Sequence, residues 1–282
     1  MPGSDHIALT DVDPSTAGSA VPPDARLRVL VLGVPVDAIG WTDVVQTVAG
    51  WAARGESRAV LLCNAHGVVT AGREEGMARA IERADLALPD GAPVAWLMSR
   101  RLERVQPRIG GPDLMLALCA HAERAAIAIY LYGGTDDTLQ ALQARLCRQY
   151  PALRIAGMRS PPYRPLNPDE ADADVERLNR SGAGIVFVAL GCPKQERWID
   201  AQRGRVHAVM VGVGAAFDFH AGLIRRAPPW MREFGLEWLH RLASEPRRLW
   251  RRYLITNTAF ICGAMRELWS RRGSQVNASR PR

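Results

Sequence analysis

The feature that most constrains this chain is an alternation beginning at Arg28, in which short apolar runs are separated by stretches whose apolar residues recur every three or four positions. The runs VLVLGVPV, AVLLCN, DLALPDG, IAIYLYGG, GIVFVALG and HAVMVGVG predict strands. Between them, TDVVQTVAGWAA, MARAIERA, DLMLALCAHAERA, TLQALQARLCRQY, DEADADVERLN and PKQERWIDAQR carry the spacing of amphipathic helices. Strand and helix in alternation predict an α/β fold, a mainly parallel sheet with helices on both faces. In such a sheet, ligands lie beyond the carboxyl ends of the strands.

Length and composition set the limits of that fold. With 282 residues, 48% of them hydrophobic, there is material for one large domain, or for about 200 residues plus an appendage. The five cysteines are far apart, with no CxxC pair and no Cys/His cluster, which argues against a disulfide framework or a zinc site and for a reducing, cytosolic compartment. The start, MPGSDHIALTDVD, is acidic where a signal peptide would be basic, so secretion is not expected. We divide the chain into a disordered leader (1–26), an α/β core (27–224), a basic aromatic helical appendage (225–270) and a disordered tail (271–282).

The charge is concentrated at one end. From Ala221 onward there are 13 Arg against 4 Glu, a surplus larger than the whole chain's +7. Trp230, Trp238, Trp250 and Trp269 are interleaved with those arginines. The longest charge-free stretch there, YLITNTAFICGAM, has 13 residues, short of the roughly 18 to 20 needed to cross a bilayer. Arginine mixed with Trp and Tyr instead predicts a segment lying in the interface of an anionic membrane.

The predicted strand ends hold the residues suited to chemistry. Asp90, in LPDG, follows an apolar run and precedes a turning glycine, Gly91; it can serve as a general base or cap the next helix. Asn64 ends the preceding strand and offers both donor and acceptor to a ligand hydroxyl, or it closes a turn. His66 beside it reads more readily as structural. Arg108 begins RIGGPDLM, where Gly110 and Gly111 open a helix whose free amides and neighbouring guanidinium suit a diphosphate; Asp113 reads as a cap.

Gly133-Gly134-Thr135 repeats the pattern of strand, glycine turn and helix, but it lacks the full dinucleotide fingerprint. In GCPKQERWI, Lys194, Gln195 and Glu196 crowd the positive end of a helix; Lys194 is the only lysine among 36 basic residues. Asp172-Ala-Asp174 spells a DxD, but inside a helix its members point apart, so we read it as surface and expect no metal.

Taken in order, NAHG, LPDG, RIGGPDLM, the Tyr150 to Ile155 segment, GCPKQERWI, VGVGAAFDFHAG, RRAPPW and GLEWLHRLASEPRRLWRRY resemble the WecG/TagA/CpsF glycosyltransferases over most of residues 28 to 255. The resemblance implies a Rossmann-like core and an inverting, metal-independent transfer from a UDP-sugar to an undecaprenyl-diphosphate-linked acceptor. No cofactor is implied. It places the base at Asp90, the strand-end asparagine at Asn64, the cleft arginine at Arg108 and the PKQE glutamine at Gln195. It assigns Arg241, Arg248 and Arg251 to a membrane-docking appendage that completes the site, on a peripheral protein at the cytoplasmic face of the inner membrane. It also allows a homo-oligomer. Leu62 stands where such proteins often have Thr. A nucleic-acid binder and a nicotinamide oxidoreductase are the rival classes; neither accounts for the strand-end motifs.

Overall fold

A computed structural model describes residues 26–278, with the side chains of Glu233, Arg248, Arg252 and residues 270–278 outside that description. Of the expected leader, only Arg26 falls among the described residues.

The described chain opens with a hairpin, β1 (Arg28–Val31) and β2 (Val34–Asp37), paired antiparallel as a separate two-stranded sheet. This corrects the single strand predicted over VLVLGVPV. Leu32 and Gly33 take φ of 51° and 84°, the left-handed pair that closes a two-residue hairpin, and an unbroken apolar run gives no sign of it.

Six further strands form one parallel sheet: β3 (Arg58–Cys63), β4 (Leu86–Pro89), β5 (Ile129–Gly133), β6 (Ile155–Arg159), β7 (Ile185–Ala189) and β8 (Val209–Gly212), in the order β4-β3-β8-β7-β5-β6. The sheet is parallel with helices around it, as the alternation predicts, and Rossmann-like, as the resemblance implies. β6 is absent from the predicted strands because it is an edge strand carrying Gly157, Arg159 and no buried residue.

The helices are α1 (Trp41–Ala53), α2 (Ala65–Ala71), α3 (Glu75–Arg83), α4 (Ala92–Leu102), α5 (Gly111–Arg124), α6 (Asp136–Gln149), α7 (Pro168–Ser181), α8 (Lys194–Gln202) and α9 (Ala216–Ala221). Their boundaries follow local chemistry. In α7, Asn167 and Glu170 form a reciprocal capping box, Pro168 occupies the first turn, and Gly182 ends the helix at φ 67°.

Burial on both faces explains the apolar runs. Leu61, Val186, Val188 and Met210 point into the layer covered by α2, α3, α4, α7 and α8, while Val60, Leu62, Phe187, Val209 and Val211 point into the layer under α1, α5, α6 and α9. Fully burying a side chain of this size contributes roughly 1.5–3 kcal/mol, so paired layers along four central strands dominate the stability. The close approach of β5 to β7 depends on Gly133, at φ 115°, where a Cβ would overlap the backbone of Ala189.

The appendage comprises α10 (Pro229–Glu233), α11 (Glu237–Ser244) and α12 (Pro246–Ala278), and α12 spans the boundary predicted at residue 270. One stripe of α12 is buried against the core: Leu249, Thr256, Phe260 and Ala264. Leu32 of the hairpin packs on Gly263, leaving no room for a Cβ there, and Arg101 of α4 pairs with Glu267 at 2.7 Å. The opposite stripe exposes Trp250, Leu254, Ile261, Met265 and Trp269. Among the described residues, no helix is long and apolar enough to cross a membrane.

Candidate active site

The carboxyl ends of β3, β4, β7 and β8 open into a cleft of about 430 Å³, roofed by α11 and α12. It lies where the parallel sheet exposes strand ends and helix amino termini, as the architecture demands.

Asp90 is fixed at the cleft edge. Its backbone N–H donates to Cys63 O at 3.1 Å, and Gly91, at φ 83°, turns the chain sharply into α4. That conformation is inexpensive only for glycine. Gly91 itself is the cap of α4 and no side chain caps that helix, so Asp90 is not spent on capping. Removal from water pushes its carboxyl up to about 6; Glu237 adds to the rise, while Arg108, a hydrogen bond from Asn64 and Arg241 oppose it.

Asn64 does both things its sequence position allowed. Its Oδ1 accepts from Gly67 N at 3.0 Å, capping α2, and its side chain also hydrogen-bonds Asp90. His66, in the first turn of α2, borders the cleft. Leu62 forms part of the wall, and its Cδ1 would lie 2.9 Å from a Cβ at Gly111; glycine there lets α5 start against β3 and β8.

Arg108 is held near β4 by the bond from Ile109 N to Pro89 O, 2.8 Å. Its guanidinium pairs with Glu237 Oε2 at 2.8 Å and lies 3.8 Å from Asp113. Asp113 is not a cap: Arg226 grips both its oxygens, at 2.7 and 2.5 Å, and these guanidinium contacts hold its carboxyl below the usual range against the opposing effect of burial. Arg232 approaches it at 3.7 Å. Three arginines and two carboxylates thus form one network between the amino terminus of α5 and the appendage.

Gln195 is buried and works as a clamp. Its Oε1 accepts from Gly214 N at 2.9 Å and its Nε2 donates to Glu196 Oε1 at 3.2 Å, tying the β8 loop to α8. Glu196 is buried beside it, and both line the cleft with Gly134.

The other predicted residues fall elsewhere. Gly133 serves strand packing, and only its neighbour Gly134 reaches the cleft. Lys194 turns away, stacking 4.4 Å from the Tyr163 ring and donating to Tyr163 O at 3.2 Å. Of the three appendage arginines, Arg241 lines the cleft, its guanidinium 5.5 Å from the Phe219 ring. Arg251 is exposed and stacks on Trp250 at 5.2 Å, outside the cleft lining. The side chain of Arg248 is outside the described residues.

The DxD is half corrected. Asp172 is exposed and pairs with Arg205 at 2.5 Å, as a surface residue would. Asp174 is instead buried, accepting from Tyr132 OH at 2.9 Å and pairing with Arg159 and Arg177. The period of the helix turned it inward, under the edge of the sheet. Its lone pairs are committed to protein donors. Among the described residues, no three His, Cys, Asp or Glu side chains gather as metal ligands.

Sequence reasoning did not place Glu237, Arg226 and Arg232 in the site, and it read Trp238 only as an interfacial aromatic. The visible signal was a glutamate inside an arginine-rich segment, in GLEW, with RRAPPW just before it. A carboxylate amid so much positive charge invites the question of which arginine it holds.

The cleft therefore joins a carboxylate with a raised pKa, a group of arginines and glycine-lined strand ends. A family model described as Glycosyl transferase WecG/TagA/CpsF family matches residues 29–274, and the chain belongs to that family of glycosyltransferases, which act in cell-surface polysaccharide synthesis.

Proposed function

We propose that the protein is an inverting, metal-independent transferase that moves a hexose or N-acetylhexosamine-type sugar from a UDP-sugar to an undecaprenyl-diphosphate-linked saccharide. Asp90 takes the proton from the attacking acceptor hydroxyl, the oxygen bonds to the anomeric carbon from the opposite side, and UDP departs. The observation that carries this reading is Asp90, a cleft carboxyl raised to about 6 while facing Arg108 and Arg241. A base with a pKa near working pH combines sufficient deprotonation with proton affinity. Arginines aimed at the leaving group offset the charge that develops on the β-phosphate. Arg241 makes no ion pair among the described residues, which suits a cation kept for an incoming anion.

Docking at the cytoplasmic face of the inner membrane fits the same reading. The outer stripe of the appendage presents Trp230, Phe234, Trp250 and Trp269 beside arginines, so aromatic rings would enter the interface while guanidinium groups meet lipid phosphates. The roof of the cleft and the docking face then belong to the same helices.

The test is UDP release from purified protein, a UDP-sugar panel and a short-chain lipid-diphosphate-sugar acceptor, with and without EDTA. We expect acceptor-dependent release that survives EDTA and is lost in Asp90→Asn. Full activity in that variant would remove Asp90 as base, and abolition by EDTA would remove the metal-free mechanism.

A further inference from the structure

We propose that Glu237 holds the place on Arg108 that the donor's diphosphate takes, and that the diphosphate of the bound donor displaces it, releasing α11. This rests on the donor reading above and extends it to how the site is filled. The geometry carries it. Glu237 lines the cleft, with Oε2 at 2.8 Å from Arg108 and Oε1 at 3.6 Å from Arg226. One carboxylate thus sits between two guanidinium groups beside the amino terminus of α5, the arrangement that a phosphate oxygen pair would take.

The neighbouring cations differ in availability. Arg226 is already gripped by Asp113 through two bonds, and Arg232 also faces Asp113. Arg241 makes no close ion pair among the described residues and acts on Asp90 only at longer range. An incoming diphosphate can therefore meet Arg241 at once, but can reach Arg108 only by exchanging with Glu237. Exchange of one anion for another keeps Arg108 neutralised, so it is not left as a stranded cation.

The element that carries Glu237 is loosely held. α11 has no buried residue; it follows Gly235, at φ 71°, and beyond Glu237 its side-chain ties include Arg241 over the Phe219 ring and a tilted contact of Trp238 with Tyr253 at 5.9 Å. Losing the pair to Arg108 removes its closest ion pair and leaves Glu237 the longer contact to Arg226, at 3.6 Å. Donor binding would thus loosen the roof of the cleft on the side where α11 leads into α12.

Calorimetric titration of the full chain with inorganic diphosphate, and separately with UDP, tests this in wild type and Glu237→Gln. The amide keeps the shape of the side chain but not its charge. We expect both ligands to bind the variant about tenfold more tightly, because the competing anion is gone. A side chain with a purely structural role would instead give weaker binding. Diphosphate binding that is unchanged or weaker overturns the displacement, whatever UDP does. Tighter diphosphate binding with no UDP binding by either protein supports the displacement and overturns the nucleotide reading.

Two further measurements guard against a damaged variant. In wild type, diphosphate should change the emission of Trp238, identified as the component absent from Trp238→Phe; an unchanged signal overturns release of α11. Asp90 is faced by Arg108 from the loop before α5, Glu237 and Arg241 from α11, and Asn64 and Cys63 at the end of β3. Loss of the Glu237 charge should move the acid limb of the pH–rate profile to lower pH, and a limb that stays or rises counts against the proposal.

Discussion

Replacing Asp90 with Asn should abolish transfer and, at the same time, stabilise the fold at neutral pH. The carboxyl rises from 3.8 to about 6 on folding, mainly because the cleft removes it from water. A raised pKa means that the folded state prefers the protonated acid. The contribution of Asp90 to stability is therefore full below the unfolded value near 4 and is lost as pH climbs through about 6. Two units correspond to about 3 kcal/mol once the group is ionised. Because the cleft opens to water, roughly half of that is the realistic share, about 1–2 kcal/mol. For a chain of this size that is a rise in Tm of about 2–6 °C in Asp90→Asn. The assay is thermal unfolding of both proteins by circular dichroism from pH 4 to pH 8. The gain should be largest at pH 7–8, fall to about half near pH 5 and vanish below pH 4. An Asn variant that melts at or below the wild-type temperature at pH 8, or a gain that does not shrink with acid, would refute the desolvation argument.

The same group should set the acid limb of kcat/KM near pH 6, since only the ionised carboxylate accepts the acceptor's proton; a rate that is flat between pH 5 and 8 would count against it. Gly133→Ala should cost at least about 3 kcal/mol or prevent soluble expression, because the added Cβ meets the Ala189 backbone rather than a movable side chain; this is read from yield and Tm. Asp174→Asn should lower stability by about 2–3 kcal/mol while leaving donor KM and EDTA response unchanged, because the residue braces Tyr132, Arg159 and Arg177 and holds no cation. Loss of donor affinity without loss of stability would restore the metal-motif reading.

How far the sequence was legible differs from residue to residue, for physical reasons. Asp90, Gly91, Asn64, Arg108 and Gln195 were visible because a strand end followed by a glycine turn has few uses, and the structure brings all five to one cleft. Gly133 and Lys194 share that sequence setting yet serve packing and a Tyr163 contact. Adjacent residues at a strand end point in different directions, and the last peptide decides which one meets the ligand. The VLVLGVPV run concealed a hairpin, since the left-handed Leu32-Gly33 pair is fixed by what packs on it, including Gly263 from the far end of the chain.

The sequence by itself determined the layered α/β core, because burial on both faces of a parallel sheet writes itself as uninterrupted apolar runs and amphipathic spacing, both local properties. It determined the basic, aromatic character of the carboxy-terminal segment for the same reason. Only the tertiary structure decided which charges meet. The pairing of Arg108 with Glu237 spans 129 positions, and that of Arg226 with Asp113 spans 113. Electrostatic partnership depends on distance in space and on shielding from water, and neither is written in the order of residues.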